Sequence, residues 1–493
     1  RIRDGVLHNE STDTRIALLH SEMQAYYLEK STSEKEKSDE EEPEEELLTY
    51  VTRSKQMALP LTIATLDQIF RFTLKYYGYE YILATLSYSK LIIDEVQMYS
   101  PDLLAYLIYG IKMVIEYGGK VAVITATLPP FVKDKLYQVM GNDVAERDFS
   151  GIKADRHNVK VMDEPLTSEA IWDVWKKKAG EDSRKFLVIC NSVKTAQRLY
   201  RELEELTQQE NVRIHLLHSK FTGDDRKKKE QEILEVGKTG RKAHEIWIAT
   251  SVVEASLDID FDYLFTELLD LFSLFQRMGR VNRKGIKDID EVNCYVYLQL
   301  QDSPLRCFQS QNPRYRFVDN DIYLLSKEAM ETVDGILSET KKTNLINEYL
   351  SAEKLEKTGY VKQYEKTYRE LEMLNVEEKS TGEMIRDIQT VDIIPAGVYN
   401  EHKDAIDTAE QKLRERDAGI TEKLQAMEDI RRYVVPVPGY IVYGNKRRSE
   451  AVERYIRIRR NVEIPVVACE YSSEIGFERI YKKETERQGS HII

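Results

Sequence analysis

Short apolar runs alternate with segments of helical period through the amino-terminal part of the chain. Residues 15–20 (Arg-Ile-Ala-Leu-Leu-His), 61–65 (Leu-Thr-Ile-Ala-Thr), 90–94 and 121–125 (Val-Ala-Val-Ile-Thr) read as buried strands. Residues 66–70 begin a helix after the second of these. Ser100-Pro101-Asp102 supplies a cap, a first-turn proline and an early acid, so the apolar run behind it is predicted to be a helix ending at Gly118-Gly119. The pattern restarts after Pro165. Residues 186–190, 214–218, 246–250, 263–266 and 292–297 are the next strands, with a helix over 195–206. Strands alternating with amphipathic helices predict an α/β fold, with two tandem lobes of parallel sheet wrapped on both faces.

Beyond these lobes the pattern changes twice. From about Asp319 to Arg431 the chain is rich in Lys and Glu and helical in period, which predicts a helical linker region. From Tyr433 on, β-branched and aromatic residues gather around Pro436, Pro438 and Gly439, as in a small β-containing domain. The expected division is therefore 1–165 and 166–318 for the lobes, 319–432 for the linker and 433–493 for the last domain. Within the first lobe, 31–47 reads as an acidic, disordered surface insertion, because it has no apolar period.

A length of 493 residues leaves room for two to four domains with substantial cores. Apolar content of 42% and charged content of 32% describe a water-soluble globular protein, and no stretch approaches the ~18 apolar residues of a membrane span. The four cysteines, Cys190, Cys294, Cys307 and Cys469, are far apart, so neither a zinc site nor a disulfide framework is expected, and the reducing cytosol is the expected compartment. The net charge of −13 speaks against a nucleic-acid partner until its location is considered. Nine carboxylates and two lysines between Glu34 and Glu46 carry −7 of it, leaving −6 elsewhere.

Candidate chemistry sits at strand ends. The run Lys90-Leu91-Ile92-Ile93 ends in Asp94-Glu95-Val96-Gln97, which puts two carboxylates where an open α/β sheet binds ligands. Asp94 there can hold a magnesium ion through water, and Glu95 can activate an attacking water. Alone, the pair also fits a solvated strand end. Thr125-Ala126-Thr127 ends the next strand, where its hydroxyls can bond those carboxylates, or merely form a threonine turn. In the second lobe, residues 250–260 (Thr-Ser-Val-Val-Glu-Ala-Ser-Leu-Asp-Ile-Asp) offer hydroxyls and amides to a phosphate backbone and a carboxylate to a ribose. The run Gln276-Arg277-Met278-Gly279-Arg280-Val281-Asn282-Arg283 is the most specific. If it is helical, Arg280 and Arg283 share one face and can neutralise charge developing on a γ-phosphate; otherwise it is a solvated basic helix.

In this order, Asp-Glu-x-Gln, Thr-Ala-Thr, Thr…Glu-Ala-Ser-Leu-Asp and Gln-Arg-x-Gly-Arg-x-x-Arg resemble the superfamily-two helicases. More narrowly they resemble the CRISPR-associated helicase-nuclease of type I systems. The narrower resemblance rests on Leu91 through Gln97, the run from Ala249 through Asp258, His218-Ser219-Lys220-Phe221 with Asp225-Arg226, and the ending Glu470 through Phe477. It covers residues 10 to 310 strongly and the tail weakly. It implies RecA-like lobes, ATP and Mg2+ as cofactors, three-prime to five-prime movement on single-stranded DNA, and recruitment by a Cascade-type surveillance complex in the prokaryotic cytoplasm. By resemblance Asp94 and Glu95 are the magnesium-binding and water-activating pair, and Gln97 touches the phosphates or the second lobe. Thr125 and Thr127 couple hydrolysis to strand movement. Thr65, Ser192, His218 and Thr250 lie toward DNA, and Asp258, Gln276, Arg280 and Arg283 face the nucleotide.

The sequence departs from that family in two ways. It contains no Gly-x-x-x-x-Gly-Lys-Ser/Thr phosphate loop, and none of its eight histidines precedes an aspartate as in the family's nuclease domain. Both parts belong upstream in the family and Arg1 is not an initiator methionine, so the expectation is a carboxyl-terminal portion whose phosphate loop and nuclease are supplied upstream or in trans. Such a portion is not expected to hydrolyse ATP or cut DNA alone. Gln97 and Ser256 stand where many relatives carry histidine and glycine. Two other readings stay open: a non-hydrolysing DNA-binding or assembly subunit, and an RNA helicase of the same superfamily.

Overall fold

The computed structural model describes residues 16–19, 44–96, 99–141, 144–148, 155–208, 210, 212–254, 257–300, 320–374, 390–444, 450–459 and 462–481. In the first lobe, β1 (Ile16–Leu19) pairs in parallel with β2 (Leu61–Ala64), and β3 (Lys90–Asp94) with β4 (Lys120–Ile124). Behind them runs the helix Pro101–Glu116. Ser100 Oγ accepts from the Leu103 amide and Pro101 opens the first turn, as the sequence predicts. Its buried face, with Leu104, Leu107, Ile108 and Ile111, is the centre of this lobe's core. Gly110 sits in mid-helix because a Cβ there would meet the Phe70 ring at 2.3 Å. Among the described residues one face of this sheet is open, with Ile92 66% and Ile124 58% exposed. The acidic stretch also departs from expectation at its end, since 44–47 form the first turn of the helix Glu44–Lys55. Acidic residue types suit the positive end of a helix, so the charge run need not exclude one. The remainder of 31–47 lies outside the described residues.

The second lobe is a seven-stranded sheet. After β5 (Asn158–Pro165) come β6 (Arg184–Ile189), β7 (Arg213–Leu217), β8 (His244–Ala249), β9 (Tyr263–Glu267), β10 (Cys294–Gln299) and the short β11 (Gly335–Ile336), in the spatial order β11-β5-β10-β9-β6-β8-β7. All pairs are parallel except β11 with β5. The central strands β6, β8 and β9 are buried on both faces, which is why they appear in the sequence as unbroken apolar runs. β5 belongs to this sheet, so the second lobe begins before the expected boundary at 166. Its residues, Asn-Val-Lys-Val-Met-Asp-Glu-Pro, are half polar, and pairing with β10 and β11 holds the strand in place.

The segment expected as a linker is tied to both lobes. On the second lobe, the helix Asn320–Glu331 gives Ser326 Oγ to accept from the Leu271 amide, and the Tyr323 hydroxyl donates to the Leu298 carbonyl. The helix Gly359–Met373 lies on Pro101–Glu116 of the first lobe, where Gln363 and Thr367 both donate to Asp102 Oδ1. The last domain starts earlier than 433. β12 (Thr390–Pro395) pairs with β13 (Val435–Pro438) and with β15 (Val462–Val467), which in turn pairs with β14 (Val452–Arg459). β13 is an edge strand, the position that tolerates Pro436 and Pro438. Among the described residues no helix is long and apolar enough to cross a membrane.

A hairpin of β16 (Cys469–Ser472) and β17 (Gly476–Ile480) fastens this domain to the second lobe. Gln197 Nε2 donates to the carbonyls of Ile475 and Phe477, the Phe477 amide donates to Lys220, and Arg201 pairs with Glu478. Gly476 has φ of +77°, and a Cβ there would lie 2.6 Å from both His218 Cε1 and the Lys220 carbonyl oxygen. Gly476→Ala is therefore expected to weaken hairpin docking by about 1–3 kcal/mol. Hydrogen exchange should rise in residues 469–480 and not in β6 or β8; unchanged protection of the hairpin would contradict the packing described.

Candidate active site

β3 delivers Asp94 opposite Ile124 of β4, and both Asp94 and Glu95 are exposed at the strand end. The Glu95 amide donates to the Ile124 carbonyl at 3.0 Å, which places Glu95 beside the Thr125 turn. There Thr125 Oγ1 donates to the Thr127 carbonyl at 2.6 Å. Glu95 has φ of +56°, in the left-handed region that a residue with a Cβ rarely adopts. Strain of this kind, about 1–3 kcal/mol, gathers where a side chain must point in one direction. Gln97 lies outside the described residues, as do 255 and 256.

The second lobe supplies the cations, but not on a helical face. The helix Leu271–Met278, capped by Asp270, ends before Gly279, and Asn282 turns the chain with φ of +45°. Arg280 and Arg283 therefore project from a loop, a correction to the shared helical face. Arg280 is held by its own lobe: its Nε donates to the Val253 carbonyl at 3.0 Å and its Nη2 to the Glu254 carbonyl. Burial lowers its pKa, Arg283 beside it adds to that, and Asp258, Glu95 and Glu254 oppose it. Glu95 of the first lobe is thus within electrostatic reach of Arg280 of the second. Arg283 Nε pairs with Asp258 Oδ1 at 3.1 Å, with both side chains partly exposed, and the Arg283 amide donates to Asp260 Oδ1. Gln276 is half-buried on the preceding helix.

Of the residues expected at DNA, Thr65 is exposed, whereas the other three have structural tasks. Ser192 caps the helix Val193–Thr207 by accepting from the Thr195 amide at 3.0 Å. Thr250, 6% exposed, bonds through its amide to Leu217 and starts the turn Ser251–Val253. His218 has no exposure at all. Its Nε2 faces the Ile475 carbonyl at 2.9 Å, its Nδ1 accepts from the Lys220 amide, and its ring stacks on Phe221. Burial pushes its pKa down to about 3, so it is a neutral imidazole under the hairpin and not a surface for a strand. The hairpin lies more than two hundred residues away in the chain, and nothing local to His218 foretells it.

Sequence reasoning also passed over Arg277, which is 1% exposed. Its Nε donates to Glu254 Oε1 at 2.7 Å and its Nη1 to Thr266 Oγ1 and the Glu267 carbonyl. This pair fixes the 250–254 turn to β9 beneath the arginine loop. The only hint was the position of Arg277 inside the same basic run.

No cluster of three metal-ligating side chains occurs among the described residues. A magnesium ion bound with a nucleotide needs only one or two carboxylates, because phosphates and water supply the rest. The exposed Asp94 and Glu95 fit that modest donor set.

A family model described as "CRISPR-associated nuclease/helicase Cas3, C-terminal" matches residues 182–286, the span from β6 through the arginine loop. A CRISPR-associated nuclease/helicase Cas3 of Methanothermobacter thermautotrophicus is 29% identical over 357 residues, 69% of this chain and 41% of that protein. One from Streptococcus thermophilus is 32% identical over 256 residues, 46% of this chain and 27% of that protein. The chain thus spans less than half the length of these curated relatives. Among solved structures, that of T. fusca Cas3-ATP superposes with a TM-score of 0.67 at 14% identity, over 96% of this chain and 60% of that one. A CRISPR RNA-guided surveillance complex before nicking matches with a TM-score of 0.59 at 15% identity, over 87% of this chain and 59% of that one. At these identities the superpositions speak for the fold. The matched model, the curated relatives and the RecA-like architecture agree that this chain is similar to the carboxyl-terminal part of the CRISPR-associated Cas3 nuclease/helicases.

Proposed function

We propose that the chain is the motor part of an ATP-driven helicase that moves three-prime to five-prime along single-stranded DNA in CRISPR interference. One observation supports this most directly: Asp94 and Glu95 stand exposed at the end of β3, with Glu95 held at φ of +56°, and Glu95 is near enough to act on the charge of Arg280 in the other lobe. In this reading Glu95 orients and deprotonates the attacking water, and Asp94 would hold magnesium through water. Magnesium, when bound, neutralises phosphate charge. Arg283, partly exposed, would exchange its Asp258 carboxylate and Gly279 carbonyl partners for the γ-phosphate as the lobes close. Gln276, Arg280 and Asp258 line the nucleotide side. Thr125 and Thr127 couple phosphate state to lobe movement, and Gln97, which lies outside the described residues, is assigned to the phosphates or the second lobe. Thr65 is the residue of the DNA set best placed to meet a strand, and Ser192, Thr250 and His218 shape the surface behind it.

The expected partners are single-stranded DNA and a Cascade-type surveillance complex, in the prokaryotic cytoplasm, with a nuclease supplied upstream or in trans. The CRISPR RNA-guided surveillance complex among the superposed structures supports the second partner. Fusing an upstream segment that carries a phosphate loop should give ATP turnover stimulated by single-stranded DNA more than by RNA. Stronger stimulation by RNA would shift the reading to an RNA helicase. A second reading is a DNA-binding or assembly subunit that does not hydrolyse ATP. Turnover by the isolated 493 residues would remove it.

A further inference from the structure

Two side chains outside every motif grip the arginine loop. Arg156, just before β5, donates from Nη1 to the Arg283 carbonyl at 3.1 Å and from Nη2 to Glu339 Oε1 at 2.6 Å. Glu339 opens the helix Glu339–Tyr349 in the segment between the lobes and the last domain. The same carboxylate oxygen accepts from Lys342 Nζ at 3.1 Å, and Lys342 faces His157 Nδ1 at 3.1 Å. His157 Nε2 then lies 2.7 Å from the Met278 carbonyl and 3.1 Å from that of Val281.

The hydrogen bonds assign the tautomer. Lys342 can only donate, so Nδ1 accepts and the Nε2 proton goes to the two carbonyls. Burial pushes the His157 pKa down to about 3, with Lys342 and Arg156 adding to it, and the ring stays neutral. For Glu339, burial raises the pKa, but Lys342 and Arg156 outweigh it and hold it at about 2. One carboxylate thus anchors two arms. One ends on Arg283, the other on Met278 and Val281, and Arg280 lies between. Asn282 closes the frame by donating from Nδ2 to the Arg156 carbonyl.

We propose that Glu339 and Arg156 are positioning residues for the loop that carries Arg280 and Arg283, so that the segment bridging the lobes sets where those guanidinium groups stand. This rests on the motor reading above. The bridging segment makes the link to the first lobe physical: its helix Gly359–Met373 is bonded to Asp102 and, through Tyr360, to the Tyr99 carbonyl. A change in lobe spacing therefore pulls on the segment whose helix begins at Glu339. A half-buried carboxylate that holds both a lysine and an arginine is costly to place.

Hydrogen exchange on the 493-residue chain tests this without ATP turnover. Glu339→Ala and Arg156→Ala are each expected to speed exchange in residues 279–286 by about tenfold or more, as loss of a charge-assisted bond implies. β6, β8 and β9 should stay protected. Arg156→Lys keeps the charge but cannot span both partners, so it should fall between. If Glu339→Ala does not fold, Glu339→Gln serves in the same measurement. Once a phosphate loop is supplied, these variants should lose about tenfold in kcat with KM for ATP changed less than about twofold. Exchange in 279–286 that is unchanged, or loosening spread evenly over the second lobe, overturns the proposal. A supplied protein that shows no turnover even as wild type counts against the motor reading instead, and the exchange result still judges the clamp.

Discussion

Arg283→Ala, in a protein supplied with a phosphate loop, is expected to lower DNA-stimulated ATP turnover by about 10³-fold or more, the usual worth of an arginine that stabilises phosphoryl-transfer charge. Stability should hardly change. The Arg283–Asp258 pair is partly exposed on both sides, and such pairs contribute under about 1 kcal/mol. A thermal midpoint close to that of wild type, with turnover lost, separates catalysis from folding. Arg280 does not allow so clean a test, since its guanidinium holds the Val253 and Glu254 carbonyls and its removal loosens the turn. Glu95→Gln is the matching change in the first lobe. It keeps the size and removes the base, at an expected cost of about 10²- to 10⁴-fold in kcat. Nucleotide binding, read by a fluorescent analogue, should survive in both variants. Turnover near the wild-type rate in either would remove the role given to that side chain.

The limits of the sequence reading have physical causes. β6, β8 and β9 were legible because burial on both faces forces unbroken apolar runs, and the Ser100-Pro101 helix start was legible because capping is local. β5 escaped because half of its side chains are polar and the alternation breaks down after Val161, and its identity as a strand comes from β10, well over a hundred residues away. β12 escaped for a related reason: it is a short strand whose partners β13 and β15 come later in the chain. At the candidate site, Asp94 and Glu95 are marked in the sequence by the apolar run that ends at them, and Arg283 by the basic run that contains it. His218 was misread because the hairpin that buries it is distant in sequence. The condition for Arg280 and Arg283 to share a helical face is not met, because the helix stops before Gly279, a residue that the motif itself contains. Arg156 and Glu339 could not have been found from spacing, since they are joined only through the fold.

The largest stability effect is expected at Arg277. Arg277→Ala removes three hydrogen bonds and leaves the Glu254 carboxylate, 5% exposed, without its cation. Breaking a buried pair from one side costs about 3–5 kcal/mol, more than the pair contributes against an apolar replacement. Arg277→Met with Glu254→Gln should therefore lose less than Arg277→Ala alone. The deficit should also depend on pH with a definite sign. Burial already raises the Glu254 pKa in the native protein, with Arg277 opposing, so the folded state binds a proton more readily than the unfolded chain. Stability then falls as pH rises through that interval, and loss of Arg277 extends the interval upward. Relative to wild type, Arg277→Ala should be worst near neutral pH and recover as pH falls toward the ordinary glutamate value of about 4.3. Denaturant unfolding of both proteins across that range measures it. A deficit that is constant with pH would mean that Glu254 is neutral in the native protein, and that Arg277 acts through Thr266 and Glu267 alone.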